Sequence, residues 1–139
     1  HLVMSESVYR NLQSNIPSNV IIKRNIPLTE FMDELCSAEL VTLPLNTNAP
    51  AGLIVFFRAA ANKKYIMTTD TFTTREYLSD SRGCLLPNDV TSWIRAIQDK
   101  LADRRGNAEA SDKLLTFLRE QCSEKKFIEG VELMIKEVQ

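Results

Sequence analysis

Short apolar runs alternate with helical periodicities along most of this chain. Leu2-Val3-Met4 reads as a strand, and over residues 5–15 the apolar positions Val8, Tyr9 and Leu12, continued by Ile16, follow helical spacing. The run "NVII" (19–22) predicts a second strand. A helix over 29–37 follows, with Leu28, Phe31, Met32, Leu35 and Cys36 on one stripe. "ELVTLPL" (39–45), closed by Pro44, predicts a third strand whose near-continuous apolarity suits a parallel sheet covered on both faces. "KYIMTT" (64–69) and "GCLLP" (83–87) predict two more strands, with a short helix over 73–78 between them.

The segment "NAPAGLIVFFRAAANKK" (48–64) is ambiguous by composition. Leu53-Ile54-Val55-Phe56-Phe57 suits a buried strand, whereas the three alanines after Arg58 favour a helix. Context decides it. A strand here would leave only a few residues for the crossover to the strand at 64–69, and parallel neighbours need about a dozen. A helix over 50–62 is therefore expected, with Pro50 in its first turn and all sides apolar, buried in the core.

Asp89 is placed to cap a helix carrying Val90, Trp93, Ile94, Ile97 and Leu101 on one face, with Gly106-Asn107 as its stop. Two further helices are predicted over 110–121 and 124–138. The second is capped by Ser123 and carries Phe127, Ile128, Val131, Met134, Ile135 and Val138 at helical spacing. No internal repeat or low-complexity tract interrupts this order. The expected fold is α/β: a doubly wound, mostly parallel Rossmann-like sheet of about five strands, with helices on both faces and a helical C-terminus.

Length and composition narrow the classes. A chain of 139 residues, 44% of them hydrophobic, is expected to form one domain over 1–139, burying about two-thirds of its unfolded surface. With 17 basic against 18 acidic residues and only scattered basic pairs, nucleic acid is not the expected partner. Cys36, Cys84 and Cys122 are odd in number and far apart, and His1 is the one histidine, so no zinc site and no metal or other cofactor is expected. Cys36 and Cys122 fall on apolar helical faces, which predicts buried thiols in a reducing compartment. The longest apolar run is far shorter than the ~20 residues of a membrane span. The start, His1-Leu2-Val3-Met4, reads as a strand already under way, as though cut from a longer protein.

Ligands of open parallel sheets bind in the loops at the carboxyl ends of the strands. Those loops are expected to start at Ser5, Lys23, Pro44, Thr69 and Pro87. The loop "PLNTNAPAG" (44–52) is long and runs into a helix N-terminus, whose backbone N–H groups favour phosphate. Gly52 would admit a phosphate close to the backbone; equally, Pro50 and Gly52 could simply shape the loop. The glycines at 52, 83, 106 and 130 fit neither G-x-G-x-x-G nor a P-loop. Acidic residues do not cluster as a phospho-receiver domain requires.

The order of features resembles a known family. "VIIKRNIPLTEFMDELCSAELVTLPL" and "PAGLIVFFRAAANKKYIMTTDTFTTREYLSDSRGCLLPND" are similar to consecutive blocks in the C-terminal, donor-binding domain of GT-B glycosyltransferases. The resemblance covers roughly residues 2–104. It implies a nucleoside-diphosphate sugar donor, UDP- or GDP-linked, and a saccharide or lipid-linked acceptor held by an N-terminal domain that this chain lacks. It also lacks the family's usual first strand of the donor domain. The implied setting is surface or exopolysaccharide synthesis in the cytoplasm or at the inner face of the membrane, where the full-length enzyme could associate peripherally. The implied donor contacts are the turn Arg24, Asn25 and Ile26, facing the base, and Leu45, Pro50, Ala51, Gly52 and Leu53 around the diphosphate. The catalytic residues stay unassigned.

The chain departs from the family at its Glu-x7-Glu pair, which falls on Pro50 and Arg58. Arg58 could bind diphosphate, pair with a carboxylate or mark a lost donor site. Glu76 in "TREYL" matches a family glutamate that steadies a loop near the diphosphate, though it could equally be a surface helix carboxylate. Two functions follow: the donor-binding part of a glycosyltransferase, inert without its acceptor domain, or a non-catalytic Rossmann-like module that kept the fold and lost the donor.

Overall fold

A computed structural model of the chain describes residues 1–11, 16–47 and 49–138, with side chains to 134. The chain gathers into two compact units, one from His1 to Ala38 and one from Glu39 onward.

In the first unit β1 (Leu2–Met4) pairs in parallel with β2 (Ile22–Arg24), Leu2 opposite Ile22 and Met4 opposite Arg24. The expected strand at 19–22 thus begins at its last residue. A turn closed by the Val20 N–H on the Pro17 carbonyl (3.0 Å) occupies the residues before it. Between the strands, α1 (Glu6–Arg10) starts under a cap in which Ser5 accepts from the Val8 N–H, and Asn11 closes it by donating to the Val8 and Tyr9 carbonyls. The helix expected to reach 15 is therefore only five residues long; its predicted position Leu12 lies outside the described residues. After Pro27, α2 (Leu28–Ser37) buries Leu35 and half-buries Phe31 and Met32. Leu28 and Cys36 of the predicted stripe are exposed instead. The Lys23 ammonium lies between Glu30 (2.8 Å) and Glu34 (2.9 Å), tying β2 to α2.

The second unit is built on a parallel three-stranded sheet, β3 (Leu40–Leu43), β4 (Tyr65–Thr69) and β5 (Cys84–Leu86), in that order. Val41 stands opposite Ile66, and Thr68 opposite Leu85. Every residue of the central β4 is buried. Tyr65 and Met67 pack with Leu86, Trp93, Ile97 and Ala110 on one face. Ile66 and Thr68, which point to the other face by strand alternation, are also fully buried. The α/β class and the parallel strands therefore hold, but the expected single sheet of about five strands does not form. The strands make ladders of two and three, because no described strand pairs with both.

The segment 53–57 is helical, as the crossover requirement dictates: β3 and β4 are parallel neighbours joined through α3 (Leu53–Ala61). The helix starts three residues later than expected, so Pro50 lies ahead of it. It is also not buried all round. Phe56, Ala59 and Ala60 form its buried stripe, while Ile54 is 70% exposed, since the sheet covers one side of the helix only. Phe57 meets the rings of Phe56 and Tyr77 edge-on at 5.4 and 5.3 Å, and Phe56 meets Tyr77 tilted at 5.6 Å, joining α3 to α4 (Phe72–Tyr77).

After β5, the Asp89 carboxylate caps α5 (Val90–Ala102) by accepting from the Ser92 N–H at 2.9 Å. Trp93 and Ile97 of its predicted face pack on the core, whereas Val90, Ile94 and Leu101 are exposed. Gly106-Asn107 does not stop this helix. Asp103 does: its N–H bonds the Lys100 carbonyl, and its carboxylate accepts from the Gly106 N–H at 3.0 Å, opening α6 (Arg104–Gln121). A side chain at 106 would push that carboxylate from its place, and α6 starts six residues before the predicted 110. Asn107, buried, donates to the Lys100 carbonyl at 2.6 Å and binds the two helices together. The last helix, α7 (Glu124–Val138), begins at a Ser123 cap. Phe127, Ile128 and Met134 of its stripe are exposed, Val131 is half-buried, and the side chains of Ile135 and Val138 lie outside the described residues. Cys122, like Cys36, is exposed rather than buried, because it stands at the end of α6 beyond the last packed turn. Among the described residues no helix is long and apolar enough to cross a membrane.

Candidate functional site

At the carboxyl ends of β3, β4 and β5 three loops are tied to one another by backbone and hydroxyl groups. The Leu45 N–H donates to Thr69 Oγ1 at 2.8 Å, fastening the start of the β3–α3 loop to the end of β4. Thr68 Oγ1 donates to the Leu43 carbonyl at 2.9 Å. On the other side the Asp70 N–H reaches the Leu86 carbonyl at 2.7 Å, holding the β4–α4 turn to β5.

The β4–α4 turn is unusually well fixed for an element of six helical residues. Thr71 caps α4 and Thr74 answers it: the Thr71 N–H donates to Thr74 Oγ1 at 2.9 Å and the Thr74 N–H to Thr71 Oγ1 at 3.2 Å. Thr74 Oγ1 in turn donates to the Thr69 carbonyl at 2.8 Å. Both threonines are buried, at 5% and 3% exposure. Outside them Asp70 and Arg75 form a bidentate pair, Nε to Oδ1 at 2.5 Å and Nη2 to Oδ2 at 2.8 Å. The Arg75 guanidinium holds the Asp70 carboxyl below the usual carboxylate range, and the carboxylate raises the arginine in return. The pair steadies the turn and leaves neither charge available to a ligand without rearrangement.

Gly52 stands at the head of α3 with φ +73°, in the left-handed region that glycine enters without penalty. Gly52, the residue at the N-cap, has no side chain with which to cap this helix, and helix starts leave their first backbone N–H groups without an intrahelical partner. A Cβ at 52 would meet Leu45 Cδ2 at 3.4 Å, ordinary contact, so backbone conformation rather than crowding calls for the glycine. The Ala51 N–H already donates to the Ala49 carbonyl at 2.7 Å. An anion at this loop would therefore be met by Gly52 and Leu53 first. Leu45 is half-buried, Pro50 exposed, and Ala51 and Leu53 half-buried.

Arg58, half-buried, sits in the last turn of α3 on the helix side of the exposed Ile54 and Ala61, opposite the buried Phe56, Ala59 and Ala60. It forms no ion pair with any described residue. Glu76 is exposed on α4. An open depression of about 290 Å³ lies beside the carboxyl end of β5, lined by Leu86, Asp89, Ser92, Arg95 and Asp99.

The remaining candidates belong to the first unit and form one turn there. Arg24 ends β2 with its guanidinium 4.4 Å above the Tyr9 ring and Nη1 3.4 Å from Glu6 Oε2. Asn25 takes φ +47°, donates its N–H to the Met4 carbonyl at 3.1 Å, and accepts the Glu6 N–H on Oδ1 at 3.0 Å. Ile26 is half-buried. The structure thus groups Arg24, Asn25 and Ile26 in one unit and the 45–53 loop, Arg58 and Glu76 in the other.

Sequence reasoning passed over the most ordered part of this edge, the run Thr69 to Arg75. Its signal is the pair Thr71 and Thr74, three apart before a helix, a spacing that lets each hydroxyl satisfy the other's backbone. It also passed over Phe72, whose exposure no local pattern announces. Among the described residues no group of His, Cys, Asp and Glu side chains could hold a metal ion. No protein-family model matches this chain, and no curated protein matches it.

Proposed function

We propose that this chain is the donor-binding part of a nucleotide-sugar glycosyltransferase, holding the diphosphate of a UDP- or GDP-linked sugar at the β3–α3 loop. The observation that carries this reading is Gly52, left-handed at the head of α3 in the loop that follows the parallel strand β3. Backbone N–H groups at a helix start favour an anion through their partial charge and the helix dipole. The same groups would stabilise the diphosphate as it leaves with the electrons of the sugar bond, since negative charge grows there during transfer. The acceptor, a saccharide or lipid-linked saccharide, would be held by a separate domain, so this chain alone should bind donor weakly and transfer nothing.

A second reading, a Rossmann-like module without donor binding, is favoured by one observation. Arg58 and Pro50 stand where the resembled family carries its glutamate pair, and Arg58 lies on the outward side of α3. Titration of the chain with UDP and GDP, followed by backbone amide chemical shifts, separates the two. Donor binding at the β3–α3 loop should move residues 45–53 and 74–76. A large excess of either nucleotide that leaves these amides unmoved refutes the first reading in favour of the second.

A further inference from the structure

Three large apolar side chains stand in the first turns of the three helices that follow β3, β4 and β5. Ile54 of α3, Phe72 of α4 and Val90 of α5 are 70%, 76% and 75% exposed. All three therefore lie at the carboxyl edge of one sheet, where open parallel sheets receive their ligands. Phe72 differs from the other two in its mounting. The residue before it, Thr71, and the residue two after it, Thr74, are buried and locked by the reciprocal hydroxyl bonds and the Thr74 bond to the Thr69 carbonyl. Thr69, three residues before Phe72 in the chain, also holds the Leu45 N–H at the start of the Gly52 loop.

A phenyl ring on a fixed backbone, open to solvent, gains little from folding. It loses little conformational freedom on meeting a flat ligand, because the backbone under it is already ordered. Phosphate would not use it. A ring face would, and the nucleotide sugar of the reading above carries two: the base and the pyranose.

We propose that Phe72 is a stacking residue of this site, taking a ring face of the nucleotide sugar whose diphosphate lies at Gly52; the proposal rests on that reading. Its test compares wild type, Phe72→Ala and Phe72→Tyr for binding of pyrophosphate, UDP and UDP-glucose. Phe72→Ala should leave pyrophosphate affinity unchanged and weaken a stacked ring by about tenfold, while Phe72→Tyr retains wild-type affinity. Loss already with UDP assigns the base; loss with UDP-glucose but not UDP assigns the sugar. The melting temperature of Phe72→Ala should stay near wild type, since the side chain is exposed. Unchanged binding of both UDP and UDP-glucose by Phe72→Ala overturns the stacking role. So does a wild type that binds pyrophosphate as tightly as the nucleotides, although the phosphate loop then stands. A wild type that binds none of the three overturns the loop reading and this inference together.

Discussion

Replacing Gly52 separates the two roles that its conformation allows. At φ +73° a side chain with a Cβ is strained, and the left-handed conformation costs an ordinary residue about 1–2 kcal/mol. The added Cβ would sit 3.4 Å from a movable Leu45 methyl, so crowding adds little and the backbone term dominates. Gly52→Val should therefore lower the melting temperature by roughly 3–10 °C, at about 3–5 °C per kcal/mol for a chain of this size. Asparagine enters the left-handed region more readily than other non-glycine residues. Gly52→Asn should then stay close to wild-type stability while still placing a side chain where a phosphate would approach. The assay pairs thermal unfolding with UDP and pyrophosphate titration on each variant. If the loop holds a diphosphate, both variants lose binding although only valine loses much stability. A Gly52→Asn or Gly52→Val protein that binds these ligands like wild type would refute the phosphate-loop argument and leave Gly52 as a shaping residue.

Four further outcomes follow from particular contacts. At Gly83, φ +156°, a Cβ would lie 2.7 Å from Leu78 Cδ2 and 2.9 Å from the Ile66 carbonyl oxygen, which cannot step aside. Gly83→Ala should cost about 1–3 kcal/mol in denaturant unfolding, and a neutral result would mean the β5 entry can shift. Arg75 holds the Asp70 carboxyl below its ordinary 3.8, so the pair supports the folded chain above that pH and its support fades as pH falls through the lower folded value. Asp70→Asn should flatten that acid limb of a melting-temperature curve, modestly because the pair is largely exposed; an unchanged limb refutes the assignment. Cys36 and Cys122, both exposed, should react with a thiol reagent in the native protein, while the half-buried Cys84 should lag; burial pushes the thiols of Cys84 and Cys122 up alike, so access sets the order, and equal rates for all three would contradict the burial pattern. Arg58→Ala should weaken UDP binding if its guanidinium reaches the donor from the outward side of α3, and unchanged affinity would relegate it to the surface.

Much of the fold was legible because the constraints that shape it are written locally. The parallel crossover dictated a helix between 43 and 65 whatever the β propensity of Leu53 to Phe57, and α3 is there. Asp89 and Ser123 announced their helices by side chains that accept backbone N–H groups, and both do so. What failed was reading strength into apolar stripes. Leu28, Cys36, Ile54, Val90 and Phe127 keep helical spacing yet are exposed. Periodicity states that a face can be buried, whereas burial depends on a neighbour that local sequence does not name. Gly106 misled for a related reason: glycine after a helix commonly ends it, but here its N–H donates to the aspartate three residues earlier and opens the next helix.

The candidate site shows the same division at closer range. Gly52 was legible because a left-handed residue between a strand and a helix leaves a glycine in the sequence. The threonines were not, since Thr68, Thr69, Thr71 and Thr74 look alike in "TTDTFTTR" and only the fold distributes their work. Thr68 and Thr69 bond the β3 strand and its loop, whereas Thr71 and Thr74 bond each other. A buried hydroxyl without a partner costs free energy, so a run of buried threonines is stable only where each finds one. Four that do so fix the end of β3 and the β4–α4 turn, while the Asp70 N–H ties that turn to β5. The loop that begins at Leu45 therefore starts from a hydrogen-bonded point, and so does the turn that carries Phe72. Thr69 serves the two through different atoms, its hydroxyl taking the Leu45 N–H and its carbonyl the Thr74 hydroxyl. Thr69→Val keeps the volume and removes only the hydroxyl, leaving the Leu45 N–H unpaired at a cost of about 1–3 kcal/mol. Amide exchange should then speed at Leu45 and stay slow at Thr71, whose N–H still bonds the Thr74 hydroxyl. Unchanged exchange at Leu45 would show that the hydroxyl does not hold the loop, and equal acceleration at Thr71 would show that the turn depends on it too.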